Sequence, residues 1–163
     1  MPPDPTPPAP PPRAILVSAC LLGVRCRHDG RDRFEPGLRE RAGPGATLVP
    51  VCPEELGGLG TPRPAAELVG GSGAAVLDGR ARVVDATGRD VTASFLDGAR
   101  RSLAIARACG ASEAWLTERS PSCGCSATHV DGSVVPGQGV AAALLAREGL
   151  RVRGIGATGP PRP

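Results

Sequence analysis

Apolar residues along this chain fall into short runs separated by polar, glycine-rich connections. The spacing inside each run distinguishes strands from helices. Ala14 to Ser18 (AILVS) is a continuous apolar run leading to Cys20, the pattern of a parallel strand buried on both faces. Thr47 to Val51 (TLVPV) is a second such run and ends at Cys52. Glu113 to Thr117 predicts a third core strand, closely followed by Ser120-Pro121-Ser122-Cys123-Gly124, and Arg151 to Ile155 predicts a fourth. Helical periodicity fills the gaps. From Thr92 to about Cys109 the apolar stripe is Phe95, Ala99, Leu103 and Ala106, with Asp90 or Thr92 as cap and Gly110 as stop. A last helix is predicted over Val140 to Arg147, and a weak one over Glu35 to Arg41, which Gly43-Pro44-Gly45 terminates. Ala74 to Val84 alternates around Asp78-Gly79, which predicts a β-hairpin.

Strands alternating with helices give an α/β class: a single three-layer, Rossmann-like domain with a mostly parallel sheet and a small hairpin insertion. Composition sets its limits. Of the 19 prolines in 163 residues, eight lie before Ala14 and three in the last four positions. The expectation is a domain over 14–156, flanked by Pro-rich disordered tails at 1–13 and 157–163, because proline lacks the donor that helix and sheet need. No apolar run approaches the ~20 residues that span a bilayer, and the proline-rich start is unlike a secretory signal. Cytoplasmic residence follows as the expectation, and in reducing cytosol six cysteines point to metal or catalytic roles rather than disulfides. The net charge is +3, with no dense basic run; two Phe, one Trp and no Tyr leave little for bases to stack on. A nucleic-acid-binding surface is not expected.

The informative feature is where the cysteines fall. Cys20 and Cys52 each follow a predicted strand directly, and Cys123 follows a third within a few residues. Ligand sites of open α/β sheets form outside the carboxyl ends of strands, so three thiols from separate strand ends can converge on one point. Thiolates suit zinc, copper or iron–sulfur clusters. Three of them on a four-iron cluster leave one iron with an open position, whereas four close a site. Cys125 keeps the second possibility open, since Cys20, Cys52, Cys123 and Cys125 make a zinc-like set for a structural or redox-sensing protein. Its side chain is expected to face away from that of Cys123 in an extended segment. Cys109, in the last turn of a helix, is expected to be a packing residue, and Cys26 either approaches the site or is a bystander.

Five motifs in order then carry a resemblance: VSACLLGVRCRHDG (Val17 to Gly30), PVCPEELGGLGTPRPAAEL (Pro50 to Leu68), GRDVTASFLDGA (Gly88 to Ala99), ERSPSCG (Glu118 to Gly124) and GVAAALLAREGLRV (Gly139 to Val152). With them the chain resembles the family long labelled a domain of unknown function, to which the 2-thiouracil desulfurases belong. The resemblance implies a [4Fe–4S] cluster held by Cys20, Cys52 and Cys123 with one iron not bound by protein. It implies Glu54 and Ser120 as the acid and hydroxyl of a non-redox desulfuration, C=S to C=O with release of sulfide. The substrate would be a small thiolated nucleobase or nucleoside, and cluster-assembly machinery a partner. Cys125 lies outside the shared pattern.

Local chemistry supplies plainer roles for the same residues. Glu54 after Cys52-Pro53 is also a first-turn acid favoured by a helix dipole, and Ser120-Pro121 is also turn chemistry. Arg63, between Pro62 and Pro64, either holds an anion or is a surface residue and stays outside the site list. Glu55 reads as solvated, and His28 and His129 as surface residues beside Asp-Gly turns.

Overall fold

The computed structural model describes Met1 and residues 6–156. The expected tail at 157–163, and part of the one at 1–13, lie outside the described residues. Four strands form the first sheet: β1 (Arg13–Ser18), β2 (Ala46–Val51), β5 (Glu113–Thr117) and β8 (Arg151–Ile155), in the order β2-β1-β5-β8. Every pairing in it is parallel, with Ile15 beside Leu48 and Glu113 on either flank of β1. β1 starts one residue earlier than expected, because the Arg13 amide donates to the Gly45 carbonyl (3.1 Å).

Alternation along these strands divides the core. Ile15, Val17 and Trp115 face α1 (Leu38–Ala42), where Leu38 and Ala42 cover them. Leu16, Ala114 and Leu116 face α4 (Thr92–Cys109) and α5 (Val140–Arg147), meeting Leu103, Ala106, Ala142 and Leu145. Burial on both faces explains why these strands read as unbroken apolar runs.

The second sheet holds β3 (Ala66–Val69), β4 (Arg82–Asp85), β6 (Ala127–Val130) and β7 (Ser133–Pro136), in the order β4-β3-β6-β7 and of mixed direction. Leu68 and Val83 pack there on Phe95, Ala99, Val140 and Ala141. The predicted stripe of α4 is thus buried throughout, but against two sheets: its first turns serve the second and its last turns the first.

The hairpin expected over Ala74 to Val84 is not there. Gly73–Leu77 is a helix, α3, and β4 pairs antiparallel with β3. The Asp78-Gly79 turn forms, but the small residues before it let α3 settle on the start of α5, where the Gly73 amide donates to the Gln138 carbonyl (2.7 Å). A Cβ on Gly73 would fall within 2.7 Å of that oxygen. A hairpin does form at β6–β7, turning on Asp131 and Gly132, both at positive φ (48° and 80°) as a type I′ turn requires. Cys109 departs from expectation as well. It is exposed, because the chain turns at Gly110 and Ala111 packs on the core in its place. No helix among the described residues is long and apolar enough to cross a membrane.

Candidate active site

Three neighbouring strands of the parallel sheet end on one side of the molecule, and each delivers a cysteine there. After β1 the chain makes a tight 3-10 turn, Ala19–Leu22, stopped by Gly23 at φ 92°, and Cys20 is buried within it. After β2, Cys52 caps α2 (Pro53–Leu56), with Pro53 in the first helical position that proline favours and Glu54 next. After β5 a loop carries Ser120 to Cys123.

That loop is fastened at both ends. The start of α5 binds it by backbone: the amides of Gly139, Val140 and Ala142 donate to the carbonyls of Gly124 (2.8 Å), Pro121 (2.9 Å) and Ser122 (3.0 Å). These are N-terminal helix donors that would otherwise lack partners. Ahead of the loop, the buried Glu118 carboxylate accepts from the amides of Cys125, Ser126 and Ala127 (3.1–3.2 Å) and from the Ser126 hydroxyl (2.9 Å). Gly154 on β8 leaves room for that carboxylate, since any Cβ there would overlap it.

The four buried or half-buried thiols around this point interact. Cys26, which sequence reasoning left between ligand and bystander, is buried, and its thiol hydrogen-bonds with Cys20 and with Cys52. The bond to Cys20, with burial added, pushes Cys26 up to about 11. The bond with Cys26, reinforced by burial, also raises Cys52. Cys123 is pushed up to about 12, chiefly by burial, while Ser18 and Ser122 hydrogen-bond to its thiol and oppose the shift. The charges of Cys52 and Glu54 act on Cys123 too. Cys125 lies outside this group. Its sulfur reaches the Cys123 carbonyl (3.5 Å), and burial together with Glu118 and Cys123 raises its thiol to about 12.

Glu54 and Ser120, the residues implied as acid and hydroxyl, do reach the same place, but not in contact with each other. Ser122 stands between them. Its hydroxyl donates to Glu54 Oε2 (3.2 Å) and lies 3.0 Å from Ser120 Oγ and 3.7 Å from Cys123 Sγ. The other carboxylate oxygen of Glu54 accepts from Arg63 Nε (3.3 Å), in an ion pair whose side chains are only 6% and 14% exposed. Arg63 is therefore neither a surface residue nor a free anion holder. Its remaining donors go to the carbonyls of Cys26 (2.9 Å) and Gly60 (3.1 Å). Glu55 is exposed as expected, bonded to the Thr61 hydroxyl.

Soft sulfur donors with a carboxylate and two hydroxyls beside them fit an iron–sulfur cluster by donor chemistry.

Comparison with known proteins gives the same direction. The model of the 2-thiouracil desulfurase family matches residues 15–154. The chain belongs to that family. YbbK of Bacillus subtilis (strain 168), itself uncharacterized, is 43% identical over 141 residues, covering 85% of this chain and 93% of YbbK. Among solved structures, the [4Fe-4S]-dependent thiouracil desulfidase TudS is similar at a TM-score of 0.71 and 38% identity, covering 87% of this chain and 90% of that one. The family match runs from within β1 to within β8 and takes in all three strand-end cysteines.

Three site residues escaped the sequence. Ser122 hides inside a turn-forming Ser-Pro-Ser, where its hydroxyl has no distinguishing neighbour in sequence. Arg63 finds its partners nine and 37 residues away. Cys26 carried a signal, the short spacing to Cys20, but nothing to say which way it turned.

Proposed function

We propose that this protein is a [4Fe–4S]-dependent desulfidase that converts the C=S of a thiouracil-like pyrimidine to C=O and releases sulfide without net electron transfer. The observation carrying it is the meeting of Cys20, Cys52 and Cys123, from three adjacent strand ends, with the linked side chains of Glu54, Ser122 and Ser120. Cys20, Cys52 and Cys123 would hold the cluster and leave one iron without a protein ligand. When bound, the cluster supplies an electrophilic iron for the substrate's sulfur.

The remaining work falls to the chain's own groups. Replacing sulfur by oxygen needs a proton taken from water and a proton given to the departing sulfur or ring nitrogen. Glu54 is the group for both transfers: Arg63 and Ser122 fix its two oxygens, and α2 holds it two residues from Cys52. Ser120 supports Glu54: its oxygen is held by the amides of Ser122 (3.2 Å) and Cys123 (3.1 Å), and its hydroxyl lies 3.0 Å from that of Ser122, which bonds the carboxylate. Such a thiol site requires the reducing cytoplasm and cluster-assembly proteins to load it.

Glu54→Gln tests the assignment. The variant keeps size and hydrogen bonding but cannot transfer protons. Iron content should be unchanged while sulfide release from 2-thiouracil falls ~10²–10⁴-fold, the usual scale for acid–base catalysis. Full iron with full turnover would remove Glu54 from the chemistry.

A further inference from the structure

Ser120 and Glu54 do not touch, yet both are assigned to one reaction, and the side chain joining them has no assigned role. The direction of the hydrogen bonds through Ser122 follows from counting donors and acceptors. Ser120 Oγ already accepts from two amides, those of Ser122 and Cys123. Both its lone pairs are occupied, so its own proton is the one available to the Ser122 oxygen 3.0 Å away. Ser122 then has a single proton to give, and the Glu54 carboxylate at 3.2 Å is a stronger acceptor than the Cys123 sulfur at 3.7 Å. The chain runs one way: Ser120 to Ser122 to Glu54.

We infer that Ser122 is a positioning residue that couples the Ser120 hydroxyl to the Glu54 carboxylate, fixing both in the orientation the reaction uses. The inference rests on the desulfidase reading for its kinetic consequence and on geometry alone for its structural one. Ser122 is almost fully buried, so no water replaces its hydroxyl when it is removed. Its backbone is held independently, the carbonyl accepting from the Ala142 amide (3.0 Å) and the amide donating to Ser120 Oγ. Truncating the side chain therefore deletes the link without unfastening the loop.

The test compares Ser122→Ala, Ser122→Thr and Ser122→Val in anaerobically reconstituted full-length protein. Iron content should match the parent in Ser122→Ala, with kcat for 2-thiouracil lowered ~10²-fold, as expected for lost alignment, and KM nearly unmoved. Thr and Val are matched in shape, so a higher kcat in Ser122→Thr than in Ser122→Val isolates the hydroxyl. Should neither fold, Ser122→Ala is instead placed in a Glu54→Gln background. Acting through Glu54, it should there cost almost nothing more, whereas a fully additive loss would overturn the coupling.

An infrared readout stands apart from turnover. The carboxylate band that vanishes in Glu54→Gln belongs to Glu54 and should shift in Ser122→Ala. An unmoved band would refute the link even in a protein that does not desulfurate. A shifted band in a protein inactive on thiouracil would refute the substrate reading and leave the link standing.

Discussion

Gly98→Ala, on a helix that carries no cysteine of the site, should damage the site more than it damages the fold. Gly98 lies in α4 where that helix touches α2, the four-residue helix that starts at Cys52 and bears Glu54. A Cβ built on Gly98 overlaps the Pro53 carbonyl oxygen and stands 2.7 Å from its carbon and 3.2 Å from the Gly57 amide nitrogen. Carbon atoms pack at ~3.5–4.0 Å, so α2 and α4 must part by ~1 Å. Gly57 closes the same contact from the other side, and Arg101 Nη1 bonds the Leu56 carbonyl (2.9 Å), so parting the helices displaces α2 and Glu54 with it.

Two terms oppose each other in stability. Alanine favours the helix over glycine by ~1 kcal/mol, and overpacking costs ~1–3 kcal/mol. The net loss is ~0–2 kcal/mol, a fall in Tm of a few degrees at ~2–4 °C per kcal/mol. Catalysis has no such compensation, since ~1 Å of misplacement is worth ~10²-fold in rate. Thermal unfolding and sulfide release from 2-thiouracil, measured on one preparation, should show a small change in the first and a large one in the second. A variant with a raised Tm and parental turnover would show that the α2–α4 contact does not position Glu54.

Three further outcomes are expected. Alanine at Cys20, Cys52 or Cys123 should prevent stable cluster assembly, while Cys109→Ala, at an exposed thiol, should leave iron content and Tm at parental values; normal iron in any of the first three removes that residue from the ligand set. Glu118→Gln should cost ~2 kcal/mol, the scale of charge-assisted hydrogen bonds, and speed amide exchange at residues 125–127; unchanged exchange would deny Glu118 its part in holding the loop. Asp85 has its carboxyl held below the usual range, first by the Thr87 hydroxyl (2.6 Å), with the Arg89 and Thr87 amides adding to it. An acid held low stabilises the fold while ionised, so Asp85→Asn should unfold at lower temperature than the parent near neutral pH. That gap should close as pH falls below ~4; a gap independent of pH would contradict the assignment.

The first sheet was legible in the sequence because its central strands, β1 and β5, are buried on both faces and β2 beside them is an apolar run, each of the three leading towards a cysteine. The α4 stripe was legible for a similar reason, although not the fact that it serves two sheets. The second sheet was not legible. Its strands are four residues long, too short for alternation to declare itself, and β3 follows a proline-rich stretch with a weak pattern of its own. The Asp78-Gly79 signal was real as a turn and misleading as a hairpin, because α5, distant in sequence, supplies the surface on which Gly73–Leu77 becomes helical. At the site, residues at strand ends could be found by position, and Glu54 and Ser120 by resemblance. Ser122 and Arg63 could not, since their meaning lies in partners that only the fold brings near.

The most direct measurement is turnover of 2-thiouracil by the anaerobically reconstituted protein in heavy-oxygen water, without added reductant. Uracil and sulfide should form in equal amounts, with solvent oxygen at the carbon that carried sulfur and with activity proportional to bound iron, as a non-redox desulfidation requires. Absence of solvent oxygen from the product, turnover that depends on a reductant, or sulfide release by iron-free protein would contradict it.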